Sequence, residues 1–170
     1  MTDLTQNLSG EAAQMVQQML AYRCPRYDQL PAITLYSDQV TDALNYFLSP
    51  LWPGQEHTVT AAMINNYVKM KRAPPAEKKK YDRAHMARFL MICLMKKVLS
   101  MAEIAAILEK LLAGYSLPEA YDLFCLELES RLHTLDGADG AGCPDYLATT
   151  VRAVACKIAV ERLLSNGEGI

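Results

Sequence analysis

The spacing of apolar residues is the feature that most limits the folds open to this chain. Wherever the sequence has a clear period, apolar side chains recur every three or four residues, and no segment alternates as a half-buried strand would. The longest such run is Leu117, Tyr121, Phe124, Leu128, Leu132 and Leu135. The sequence therefore predicts an all-α fold.

Residues that interrupt helices divide the chain into seven predicted helices. They cover residues 10–22, 37–48, 60–72, 82–98, 100–114, 116–135 and 146–165. Proline and glycine separate the helices, because proline cannot continue a helix and glycine commonly ends one. The fourth helix is apolar on nearly every side and is expected to lie at the centre of the fold.

Capping residues predict where several helices begin. Ser37 is expected to cap the second helix, and Thr58 or Thr60 the third. Two capping boxes begin the fifth and sixth helices, Ser100 with Glu103 and Ser116 with Glu119.

Length and composition favour a single globular unit. The 170 residues are 51% hydrophobic, which is enough to bury a core. We divide the chain into an N-terminal helix and linker (1–29), a central region (30–114) and a C-terminal helical hairpin (115–170). The sequence has no signal peptide and no apolar run long enough to span a membrane, so a cytoplasmic location is expected.

Chemical motifs are sparse. The sequence lacks GxSxG, P-loop, GxGxxG and HExxH patterns, so we expect neither an enzyme nor a cofactor. None of the five cysteines forms a CxxC pair; Cys93, Cys125 and Cys156 lie in helical patterns and are expected in the core. A metal or redox site at His133, Cys143 and Cys156 is an alternative with unspecific spacing.

The charge is unevenly distributed. Residues 60–100 carry ten Lys and Arg but only two acids, whereas the chain as a whole has a net charge of −2. A basic centre on an acidic body is expected when one surface binds a polyanion and the remainder keeps the protein soluble.

Eight residues of this basic region are candidates for DNA contact. They lie on the polar side of the third helix and in the segment PPAEKKKYDRAH that follows it. The candidates are Asn65, Asn66, Lys69, Arg72, Lys78, Lys79, Lys80 and Arg83. Asparagine can pair with an adenine edge, and Lys and Arg can bind phosphates.

The order of these elements resembles the DNA-binding head of the mercury-resistance-regulator (MerR) family. The matching stretches are MINNYVKMKRAPP, KKKYDRAHMARFL and LSMAEIAAIL. In the resemblance, Pro74-Pro75 begins the wing, Tyr81 precedes the next helix, and Lys71 replaces a glycine that ends the recognition helix.

The resemblance implies a helix-turn-helix head with a short wing, followed by the C-terminal hairpin. It implies a DNA-binding transcriptional regulator in which Thr60–Arg72 is the recognition helix and Lys78–Lys80 bind phosphates. The expected partners are double-stranded DNA and a second copy of the chain, and a small-molecule effector is possible for such a regulator.

Residues 30–110 also resemble a bacterial family described only as a domain of unknown function. The similarity rests on LPAITLYSDQV followed by MINNY, PP and KKKY. It implies a bacterial origin and a helical fold, without an activity.

Two alternatives remain open at the level of sequence. The basic surface could bind an acidic protein, which would make the chain an adaptor without DNA binding. The alanine-rich last helix could pack on the core or form a dimer seam, because small residues allow close approach of a second helix.

Overall fold

The fold was analysed in a computed structural model, which describes residues 10–52 and 58–133 together with residues 152, 153, 156 and 157. Six helices of more than one turn occur in this part of the chain. They are α1 (Gly10–Leu20), α2 (Ser37–Leu48), α3 (Ala61–Lys69), α4 (Arg83–Met95), α5 (Met101–Gly114) and α6 (Leu117–His133). The predicted all-α class is confirmed for the described residues, in which extended backbone pairs only at two isolated bridges.

Helix α4 lies at the centre of the described part of the fold, as its sequence predicts. Met86, Phe89, Leu90, Met91 and Ile92 are completely buried, although they point in several directions around the helix axis. Helices α2 and α6 both pack against α4, and α6 also contacts α1 and α5. A helix this apolar is stable only when neighbours cover all its sides.

The segment that follows α1 is attached to α6 by polar contacts. The Glu129 carboxylate accepts hydrogen bonds from the Cys24 backbone N–H at 2.8 Å and from both terminal nitrogens of Arg26 at 2.9 and 2.8 Å. The Tyr121 hydroxyl donates to the Pro25 carbonyl oxygen at 2.8 Å. These contacts bury an extended segment without leaving its polar groups unpaired.

The predicted helix starts are confirmed at three positions and wrong at one. Thr60 caps α3, and the capping box of Ser100 with Glu103 is formed. Helix α6 begins after Ser116 as predicted, but only half of its capping box is formed: the Glu119 carboxylate accepts from the Ser116 backbone N–H and from its hydroxyl. Ser37 does not cap α2: it is the first helical residue, and the Gln39 side chain instead accepts from the backbone N–H of Tyr36. The observed bond satisfies one free backbone donor at the helix start, as the predicted Ser37 cap would have done.

The predicted last helix, 146–165, lies outside the described residues except at four helical positions. Among these, the Lys157 ammonium contacts the Glu103 carboxylate of α5 at 2.6 Å. Cys93 and Cys125 are buried as expected, but Cys156 is exposed, so the prediction that it lies in the core is wrong. Cys143 lies outside the described residues.

Candidate nucleic-acid interface

Helix α3 has one buried side and one exposed polar side. Ile64 and Tyr67 are completely buried and fix the helix on the core. Asn65, Asn66 and Lys69 are exposed. The separation follows from the helical period, because residues three apart share a side and their neighbours in sequence do not. The exposed side therefore offers two amides and an ammonium group to a partner.

The end of α3 has the geometry of a glycine-terminated helix, but the residue there is lysine. The backbone N–H of Lys71 donates to the Val68 carbonyl oxygen, and that of Arg72 donates to the Tyr67 carbonyl oxygen, each at 2.9 Å. Lys71 has a φ of 57°, in the left-handed region. This pair of bonds is the Schellman motif. The helix ends at Lys69, so the predicted extension to Arg72 is wrong.

Lys78 and Lys79 form the tip of a minimal hairpin. Glu77 and Lys80 exchange two backbone hydrogen bonds, of 3.0 and 2.8 Å. The two residues between them have φ angles of 49° and 65°. A two-residue loop with positive φ at both positions is a type I′ turn, for which Asn-Gly is the preferred sequence. We call Lys78 and Lys79 the lysine turn; both side chains are exposed.

The hairpin is fixed to the core on its second arm. Tyr81 is buried, and its backbone exchanges two hydrogen bonds of 2.8 Å with Leu35. Lys80 packs beside it, with its ammonium 4.9 Å from the centre of the Tyr36 ring. The arrangement leaves the exposed lysine turn next to a segment that is bonded to the core.

Asp82 and His85 join the start of α4 to the proline segment. An Asp82 carboxylate oxygen accepts from the His85 backbone N–H at 3.0 Å and lies 2.7 Å from Nδ1 of the same histidine. Nε2 of His85 lies 3.3 Å from the Pro75 carbonyl oxygen. Burial raises the pKa of Asp82, but the hydrogen bonds from His85 outweigh burial, so its pKa is below the ordinary value.

The arginines of the basic region face inward to different degrees. The Arg83 Nε donates to the Leu30 carbonyl oxygen at 3.1 Å, and its guanidinium lies over the Tyr27 ring. Arg72 is partly buried and lines a cleft together with Arg88, a residue that the sequence analysis did not select. No local signal identifies Arg88, because it occupies an ordinary helical position and shares a cleft with Arg72 only through the fold.

Other site types find little support in the described part of the chain. Within residues 10–52, 58–133 and the four described C-terminal positions, no three His, Cys, Asp or Glu side chains are grouped as metal ligands. None of the described helices combines the length and the apolar character that crossing a membrane requires.

The fold and this surface define a helical domain that presents a short polar helix beside a lysine-tipped hairpin. Residues 25–124 match the family described as Domain of unknown function (DUF1836), and the chain belongs to that family. The predicted relation to a family of unknown function is thereby confirmed, over a somewhat longer range than 30–110. No curated protein and no solved structure matches the chain.

Proposed function

We propose that this protein is a DNA-binding transcriptional regulator in which α3 enters a groove and the lysine turn contacts the phosphate backbone. The main support for the proposal is that the residues with positive φ are all lysines. Among the described residues other than glycine, they are Lys71, Lys78 and Lys79. All three lie in the segment that joins α3 to α4.

Lysine is a costly choice at these positions. The left-handed conformation costs an L-residue about 1 kcal/mol or more, whereas glycine adopts it freely. Strained residues of this kind cluster at functional sites, because selection for stability alone would replace them. Three lysines kept in this conformation are explained if their charge is needed where a glycine or asparagine would give the more stable turn.

The candidate roles follow from exposure and chemistry. Asn65 and Asn66 lie on the exposed side of α3 and have the amide groups that pair with adenine in the major groove. Lys69, Lys71 and the lysine turn supply ammonium groups for phosphates. The order of polar helix, proline segment, hairpin and tyrosine-led helix supports a head of the MerR type with a minimal wing.

The remaining candidates have smaller roles in this proposal. Arg83 already binds the Leu30 carbonyl oxygen, and Lys80 already lies over Tyr36. Their side chains hold the base of the hairpin, so their substitution is expected to act on its position as well as on DNA contact. Arg72 lies in the cleft at the end of α3.

A homodimer is part of the proposal, because one short helix reads few base pairs. Two copies related by a two-fold axis would bind two half-sites of a palindrome. Selection from a random duplex pool with the full chain should enrich a palindromic sequence. Enrichment of a single half-site would contradict the dimer while retaining DNA binding.

The function is tested by titrating duplex DNA at several salt concentrations. Wild-type affinity should fall steeply with salt, and the double variant K78Q/K79Q should reduce the logarithmic salt slope by about 2, since each phosphate contact contributes about 0.9. K110Q, which removes one exposed charge from α5, is the control for charge loss elsewhere on the surface and should leave the slope unchanged. A slope unchanged by K78Q/K79Q would exclude the lysine turn as a DNA contact.

The adaptor hypothesis predicts a different result in the same titration. A protein that binds only acidic protein partners should prefer no duplex sequence over random competitor at near-physiological salt. Absence of any enriched sequence, with K78Q/K79Q equal to wild type, would favour that alternative.

A further inference from the structure

A cleft lies at the C-terminal end of α3. Its first part has a volume of about 600 Å³ and is lined by Lys69, Lys71, Arg72, Arg88 and the Pro74-Pro75 segment, without an acidic residue. Its second part, about 220 Å³, lies between α4 and α5 and shares Lys71, Arg72 and Arg88 with the first part. We call the whole the arginine cleft.

The two arginines of the cleft are not paired within the described structure. The Arg72 Nε has less than 1 Å² of exposed area and no hydrogen-bond partner. Arg88 is partly buried, and no described carboxylate lies within ion-pair distance of either guanidinium. Burial lowers the pKa of Arg88, but a guanidinium remains charged at neutral pH.

An unpaired charge in a partly buried position is unfavourable. A buried donor without a partner loses its hydration and gains nothing in return, and a charged donor loses more. The Arg72 Nε is in this position, and the positive charge of Arg88 in the same cleft adds repulsion. An anion bound by both guanidinium groups would give the Arg72 Nε a partner and offset the repulsion, and the planar guanidinium is well suited to bind two oxygens of one phosphate.

The lining of the second part indicates the size of the anion. Ala105, Leu108 and Leu112 offer an apolar wall, and Glu109, which is exposed, adds a carboxylate to this lining. A continuous polyanion would bring a second phosphate toward Glu109, which is unfavourable. An apolar group attached to a single phosphate would instead pack on the leucines.

We propose that the arginine cleft binds a small phosphorylated molecule with an apolar body, its phosphate held by Arg72 and Arg88. The inference goes beyond DNA binding and does not depend on it. Of the two arginines only Arg72 belongs to the predicted DNA-contacting residues, so Arg88 separates the two functions experimentally.

The test is calorimetric titration of the full chain with inorganic phosphate and with phenyl phosphate, against chloride at matched ionic strength. Wild type should bind both in a saturable manner, and phenyl phosphate more tightly. R88Q should raise both Kd values about tenfold or more, as expected on losing a charge-assisted hydrogen bond. K110Q is the charge-matched control and should leave both values unchanged.

Two further variants separate the parts of the site. L112S should remove the advantage of phenyl phosphate over phosphate while leaving the Kd for phosphate unchanged. R88K retains the charge but lacks the planar fork, so its affinity should fall between those of wild type and R88Q. Without ligand, R88Q should melt at the same temperature as wild type or higher, because it removes an unpaired charge.

Three results would overturn the proposal. The first two are a lack of saturable binding of phosphate or phenyl phosphate by wild type, and an equal rise in the Kd for these ligands in R88Q and K110Q. The third is a large loss of melting temperature in ligand-free R88Q and R88K. If R88Q weakens duplex DNA as much as K78Q/K79Q does, the cleft serves a DNA phosphate and not a small ligand. Failure of DNA binding by wild type would contradict the proposed function alone.

Discussion

Lysine at left-handed backbone positions is the main residue-scale feature of this protein. Lys71 ends α3 in a Schellman motif, and Lys78 and Lys79 form a type I′ turn. The backbone at each position favours glycine or asparagine, so side-chain identity and backbone conformation are in conflict. Such conflicts are expected where a functional requirement outweighs local stability.

The first prediction concerns Lys79. Replacement by glycine should raise the free energy of unfolding by about 0.5–1 kcal/mol, because the strain removed exceeds the extra backbone entropy of glycine. The same change should weaken duplex binding, since it removes one phosphate contact. Urea denaturation and a DNA titration measure the two effects.

The control for this prediction is K79Q, which removes the charge but retains the strained backbone. It should weaken DNA binding as K79G does, without a gain in stability. Destabilisation by K79G would contradict the left-handed conformation at this position.

The second prediction concerns Glu129, which is buried and binds Cys24 and Arg26. Burial raises the pKa of this carboxyl, but the hydrogen bonds from Arg26 and from the Cys24 backbone outweigh burial, so its pKa in the fold is below the ordinary value. Its stabilising effect is therefore present above about pH 4.3, the ordinary pKa, and is lost as pH falls through the folded pKa.

E129Q should lower the free energy of unfolding by about 2 kcal/mol at pH 7, because the Arg26 charge loses its partner. The difference between wild type and E129Q should diminish toward acidic pH, as measured by urea denaturation at a series of pH values. Subtracting the two curves removes the contribution of other carboxylates. A difference that stays constant down to about pH 3 would contradict a lowered Glu129 pKa.

At the scale of elements, α3 is short and depends on its ends and on its buried side. Thr60 caps its start, the Lys71 motif closes its end, and Ile64 and Tyr67 fix it on the core. An isolated helix of nine residues would not be stable in water. Tertiary contacts therefore hold its exposed side in a fixed orientation, which a groove-reading helix requires.

The third prediction belongs to this element. N65A should change the free energy of unfolding by no more than about 0.5 kcal/mol, because its side chain is exposed. It should alter the preference among duplex sequences by about 1–3 kcal/mol at one base pair if the amide reads an adenine. Binding to a panel of single-substituted duplexes measures this preference. An equal loss on every duplex would instead indicate a phosphate contact.

At the scale of the whole molecule, the arginine cleft and α3 are directly connected. Arg72 follows the end of α3 and lines the cleft, and α4 contributes Arg88 to the same lining. A bound phosphate would neutralise charge next to the proposed DNA-binding helix. Binding of a phosphate in the cleft is therefore expected to weaken DNA binding, and DNA to weaken phosphate binding.

The fourth prediction follows from this connection and rests on both proposals. Saturating phenyl phosphate should raise the Kd for duplex DNA, and duplex DNA should raise the Kd for phenyl phosphate by the same factor, as linkage requires. In R88Q the effect should disappear, whereas in K110Q it should persist. Unchanged DNA affinity at saturating phenyl phosphate, with ionic strength matched, would show that the sites are independent.

Much of the fold could be predicted from sequence because its signals are local. The six described helices lie where the apolar period placed them, and Thr60, Ser100 and Ser116 begin helices as their side chains predict. The errors are also local. Tyr36, not Ser37, occupies the position before the first residue of α2, and α3 and α4 each end three residues earlier than predicted. In each case the helix boundary depends on which hydrogen-bond partner the terminal backbone N–H and C=O groups have.

The sequence by itself determined the helical class, the central position of α4 and the concentration of positive charge in residues 60–100. Only the tertiary structure decided which of those charges face solvent and which lie together. Arg83 binds the Leu30 carbonyl oxygen, and Arg88 lines the same cleft as Arg72. The physical reason is that helical period and capping act within a few residues, whereas the pairing of distant side chains depends on how the helices pack.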